Sequence, residues 1–62
     1  MRKWKCIHLD TNELVKISET EHEMIGVEKT IEKYEQQGWI LFSYNMYHNY
    51  TLHRLLFFKE IV

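Results

Sequence analysis

Sixty-two residues make a single domain spanning 1–62, and a chain this short buries only about 60% of its unfolded surface, so a lone monomer would be marginal. A composition 45% hydrophobic and 15% aromatic excludes a disordered chain, and a formal net charge of −1 excludes the strongly basic or acidic balance of a dedicated nucleic-acid binder or a DNA mimic. The single cysteine, Cys6, excludes an internal disulfide, which leaves self-association as the expected source of extra stability.

The chain opens with KWKCIHL, a short run rich in β-formers that reads as a strand. Trp4, Cys6 and His8 share one of its faces and Lys5, Ile7 and Leu9 the other, so neither face is cleanly polar. DTNE then reads as a turn, and LVKIS, over residues 14–18, as a second and weaker strand. The segment SETEHEMIGVEKTIEKYEQQG is the expected helix. Ser18 and Glu21 have capping-box spacing, Gly38 stands where a left-handed cap belongs, and Met24, Val27, Ile31 and Tyr34 form one apolar stripe. Gly26 weakens the helix by about 1 kcal/mol relative to alanine. It implies either a helix that starts late, near Met24, or a backbone approached closely by a strand, and the late start is preferred. After Gly38 the period changes to two, and WILFSYNM and TLHRLLFFKE read as strands around a turn at YHNY. The expected class is α+β: a small antiparallel sheet of three to four strands with one helix packed across one face.

No window approaches the roughly 18 consecutive apolar residues of a membrane span, and MRKWKCIHLD lacks the apolar core and cleavage site of a signal peptide. The expected location is therefore the cytoplasm, with no membrane partner.

KWKCIHL near the start, a helix ending in YEQQGW, the run GWILFS and a closing LLFFKE together resemble a small bacterial and phage domain-of-unknown-function family. Its pattern is a Lys-aromatic strand, then Gly-Trp-Glu-Leu-Val-Ser after the helix, and a final aromatic-Phe-Lys strand. The likeness covers most of the chain apart from residues 10–26 and implies one helix on a small antiparallel sheet; it carries no catalytic residues. Where the pattern has a polar residue after the tryptophan, this chain has Ile40, with Phe42 two positions on. Strand parity sends Trp39, Leu41 and Ser43 under the helix and Ile40, Phe42, Tyr44 and Met46 to the opposite face. An exposed row of this kind is on the scale of an interface, so Ile40, Phe42, Tyr44 and Met46 are expected to form a homodimer contact.

Residues that could carry chemistry are sparse. His8, His22, His48, His53 and Cys6 have no metal-ligand spacing, there is no glycine-rich phosphate loop, and no nucleophile and base stand in a recognisable pattern. The reading is of a non-enzymatic protein with no metal and no cofactor. The predicted helix and the residues just before it carry six glutamates against Lys29 and Lys33, and the turn YNMYHNY mixes rigid rings with hydrogen-bonding side chains. Tyr47, His48 and Tyr50, with Glu28 and Glu32, are therefore the expected partner-binding residues. The leading expectation is a homodimeric protein-binding module, of the kind by which a phage or mobile element inhibits a host defence protein such as a nuclease or helicase. Two alternatives are a sponge that captures a nucleotide-like signal at a dimer cleft lined by Tyr47, His48, Tyr50 and Arg54, and a structural subunit of a larger assembly.

Overall fold

Asp10 decides how the chain leaves its first strand. Its Oδ1 accepts a hydrogen bond from the backbone N–H of Glu13 at 2.8 Å, which caps a helix and not a turn. In the computed structural model, which describes residues 1–61, β1 (Arg2–Asp10) is followed directly by α1 (Thr11–Ser18). The remaining elements are α2 (Glu23–Gln36), β2 (Ile40–Tyr47) and β3 (Leu52–Glu60). The α+β class is as expected, with two corrections. The segment LVKIS is helical and not a strand, and two helices, not one, cover a sheet of three strands. Glu13 in the first turn of α1 and Lys16 in the last both suit the helix dipole, and burial of Leu14 fixes a helix too short to persist alone.

Ser18 does not cap the long helix. It ends α1, where its hydroxyl donates within the α1–α2 connection while Glu19 takes a left-handed φ of 61°. The late start expected for the long helix is found at Glu23. Gly26 nevertheless lies inside the helix at a close approach: a Cβ there would stand 2.1 Å from the carbonyl oxygen of Leu14, so α1 and α2 cross with backbones touching. The approaching element is a helix, where the sequence pointed to a strand. Gly38, at φ 89°, ends α2 as expected. Its N–H bonds the Glu35 carbonyl and that of Trp39 reaches the Tyr34 carbonyl, both at 3.0 Å, which is the Schellman pattern.

The sheet order is β1-β3-β2, antiparallel throughout, so β3 is central. His53, Leu55 and Phe57 of β3 are buried beneath the helices, where Leu14, Val27 and Trp39 complete the core. Ile7 and Leu9 of β1, Ile31 and Tyr34 of α2, and Leu41 and Tyr44 of β2 pack around it. Trp39 is only 7% exposed, and the ammonium groups of Lys59 and Lys5 lie 4.6 and 5.2 Å from its ring. Truncating Trp39 to alanine is expected to cost about 3–5 kcal/mol. A chain of this length has a total stability of roughly 3–9 kcal/mol, so most of it would go. Urea unfolding checks this, and an unchanged midpoint would place the tryptophan outside the core.

The parity expected for β2 fails at one place. Leu41 pairs with Phe57 but the next pair is Ser43 with Leu56, leaving Phe42 as the extra residue of a β-bulge. Ile40 and Phe42 stay on the face away from the helices, as expected. Beyond the bulge every side chain changes face. Ser43 moves to the open face, while Tyr44 and Met46, aligned with Leu55 and His53, turn to the helix side and leave the expected dimer row.

Candidate functional site

Among the described residues no element covers the face of the sheet away from the helices. Towards its Arg2 end Trp4 of β1, Phe58 of β3 and Phe42 of β2 form one aromatic cluster across all three strands. Centroid separations are 5.2 Å for Trp4 and Phe42, 5.7 Å for Trp4 and Phe58, and 6.1 Å for Phe42 and Phe58, with edge-on or tilted rings. Trp4 remains 47% exposed, Ile40 50% and Phe42 58%. The bulge builds this cluster, since it leaves Phe42 without a ladder partner beside the central Phe58. Arg2 sits over Phe58 at 4.5 Å while its Nε donates to Glu60 at 2.7 Å, so the charge at this end is balanced locally. At the other end the Arg54 guanidinium lies 5.1 Å from the Tyr47 ring. Tyr47 thus belongs to the open face, and Arg54 is already stacked on it.

Tyr44 does something different from what parity implied. Its hydroxyl shares a hydrogen bond of 2.6 Å with Nδ1 of the fully buried His53, with the two rings stacked. This leaves the other ring nitrogen, Nε2, facing Glu23 Oε2 at 3.3 Å, an electrostatic contact without the alignment of a hydrogen bond. The Met24 sulfur is a further neighbour of the hydroxyl at 3.6 Å. Burial, and next the charge of Glu23, raise the Tyr44 phenol above its usual pKa of 10.0. A phenol whose pKa is raised on folding contributes stability that is fully present below the unfolded value and is lost as pH rises through the folded one. Tyr44→Phe is expected to cost about 1–3 kcal/mol near neutrality by leaving a buried histidine nitrogen unpaired. The difference from the unmodified protein should shrink as pH rises above 10, because only the unmodified protein loses this contribution there. Thermal melts at neutral and alkaline pH check both; a gap that widens with pH contradicts the linkage.

The hairpin tip is conformationally unusual. His48, Asn49 and Tyr50 have φ of 51°, 56° and 68°, three consecutive left-handed residues with no glycine among them. Such residues cost about 1–2 kcal/mol each. They persist only where the surroundings hold them, as strained segments at recognition sites do. Thr51 supplies that hold: its N–H and hydroxyl bond the turn's own carbonyls, and its carbonyl accepts from the Thr11 N–H at 3.0 Å. Tyr50 is displayed at 70% exposure. Glu28 and Glu32 are exposed on α2, which begins beside the hairpin end, where Glu23 meets His53.

His8 and His53 lie on neighbouring strands but on opposite faces, and among the described residues no three His, Cys, Asp or Glu side chains gather where they could hold a metal ion. None of the helices among those residues is long and apolar enough to cross a membrane. No protein-family model, curated protein or solved structure matches the chain.

Of the expected dimer residues, Ile40 and Phe42 lie together on the open face, and Tyr44 and Met46 do not join them. Trp4 and Phe58 were missed. Their signal was the phase of each strand: Trp4 shares its face with Cys6 and His8, and Phe58 alternates with the buried Phe57.

Proposed function

We propose that the protein is a non-enzymatic homodimeric binding module. Its open sheet faces would meet around Trp4, Phe42 and Phe58, leaving the hairpin tip and the acidic side of α2 free for a protein partner. The observation that carries this reading is the half-exposed aromatic cluster on a face that no element among the described residues covers. Its dimensions support a second copy as the occupant. The Cα frame is a plate 40 × 23 × 11 Å, so the broad side matches the roughly 800 Å² per partner of a standard interface. At one end of this face Arg2 is neutralised by Glu60 within the chain, whereas Arg54 at the other end has no carboxylate within ion-pair distance among the described residues and is stacked on Tyr47.

The partner surface consists of His48 and Tyr50, held by the strained turn, with Glu28 and Glu32 steering towards a basic protein surface. Tyr47 belongs instead to the rim of the dimer face. Inhibition of a host nuclease or helicase by a phage or mobile-element protein accords with this basic partner and rests on the resemblance noted in the sequence. Light scattering at micromolar concentration should give twice the 7.7 kDa chain mass, and a species at 7.7 kDa would overturn the homodimer. Capture from bacterial lysate, run with the unmodified protein and with a Tyr50→Ala, Glu28→Lys, Glu32→Lys variant, tests the partner surface. A partner retained equally by both would place that surface elsewhere.

A further inference from the structure

The edge of the sheet at β1 borders a cleft that neither the aromatic face nor the hairpin tip uses. α2 runs along the central strand, with Glu23 at His53 and Tyr34 against Phe57, and leaves the helix-side row of β1 only half-covered. The result is a cleft of about 220 Å³ floored by Ile7 and Leu9 and closed at one side by Ile17 of α1. Thr30 and Tyr34 form its far wall, and Lys29 and Lys33 complete the lining. Neither lysine lies within ion-pair distance of a carboxylate among the described residues. Lys29 donates to the Ser18 carbonyl at 3.3 Å, and Lys33 rests 5.5 Å from the Tyr34 ring.

β1 itself is a nine-residue strand without a bulge, and among the described residues its ladder bonds run only to β3. Alternate N–H and C=O groups along its outer edge are therefore unpaired, the arrangement that accepts an added strand. We propose that this edge and its cleft bind an extended segment of a partner protein as a fourth strand, with an apolar residue followed by two successive acidic residues along its inward face. Inward side chains of such a strand repeat every 6.6–6.8 Å or so. Lys29 and Lys33 are one helical turn apart, about 6 Å along the axis of α2, so successive inward residues can address each in turn. The apolar floor takes the aliphatic side chain and the two ammonium groups take the carboxylates. A second copy of β1 is the wrong occupant, because its helix-side row of Lys3, Lys5, Ile7 and Leu9 offers Lys29 and Lys33 only like charge and no carboxylate. This site is separate from the dimer face and stands whether or not that face self-associates.

The test uses isotope-labelled full-length protein and a capped seven-residue peptide with isoleucine, glutamate and glutamate, in that order, at its even positions and threonine at the odd ones. Added peptide should shift the amide resonances of Cys6 to Leu9 and slow deuterium exchange along that edge, saturating below about 1 mM. Lys29→Glu with Lys33→Glu should weaken binding about tenfold or more while leaving the melting temperature nearly unchanged. The same peptide N-methylated at alternate residues, which cannot join the ladder, should fail to bind. Binding of the methylated peptide equal to that of the parent, saturation by octanoate with no change in exchange along β1, or shifts confined to other elements would each overturn the added-strand site.

Discussion

Gly26→Ala should destabilise the protein by about 3 kcal/mol or more, although alanine is the better helix former at an exposed helical position by about 1 kcal/mol. The reason is the crossing of the two helices. An added methyl would meet the Leu14 carbonyl oxygen at 2.1 Å and the carbonyl carbon at 2.8 Å, both backbone atoms that no side-chain rotation can move. Relief requires α1 to slide away from α2, and Leu14, fully buried at the centre of the core, would be dragged with it. For a domain of this size each kcal/mol lowers the melting temperature by about 4–8 °C, so a fall exceeding about 12 °C is expected. Glu28→Ala, at an exposed position on the same helix, should change little. A Gly26→Ala protein that melts as high as the unmodified one, or higher, would show that the two helices do not approach this closely.

Phe42→Asp should abolish self-association while leaving the fold intact. Phe42 is the extra residue of the bulge and 58% exposed within one chain, so an aspartate there disturbs no strand pair and stays solvated in the monomer. Only edge-on contacts with Trp4 and Phe58 are lost, worth about 0.5–1.5 kcal/mol each. In the dimer the same carboxylate would be buried in an apolar interface without a partner, and the dissociation constant should rise about a hundredfold or more. Sedimentation velocity over a concentration series reads both states. A Phe42→Asp protein that still sediments as a folded dimer would move the interface off this face.

The two helix-covered strands after Gly38, the capping glycine and the inward Trp39 were all legible in the sequence because each rests on local chemistry: a period of two, a left-handed cap and an aromatic beside it. The α1 segment departs from the expected strand because Leu14, Val15 and Ile17 suit a strand by residue type, while Asp10 and Glu13, which also suit a turn, have the spacing of a capping box. Of the row expected on the open face only Ile40 and Phe42 lie there, for a different reason. Parity is reliable only while the ladder is regular, and nothing in ILFSYNM announces that Phe42 will be bulged out. That one residue sends Tyr44 to its partner His53 and brings Phe42 to Trp4, a long-range pairing set by registers across three strands. The cleft beside β1 arises from where α2 settles over β3, which depends on the crossing at Gly26 and has no signature along the chain.

The most direct test of the dimer through the open face is an isotope-filtered nuclear Overhauser experiment on an equimolar mixture of labelled and unlabelled protein, which registers only contacts between two copies. The expected result is a set of intermolecular cross-peaks among the rings of Trp4, Phe42 and Phe58 and the methyl groups of Ile40, all exposed or half-exposed on one sheet face. Intermolecular cross-peaks confined to α1, α2 or the hairpin tip, or a filtered spectrum that is empty at millimolar concentration, would contradict it.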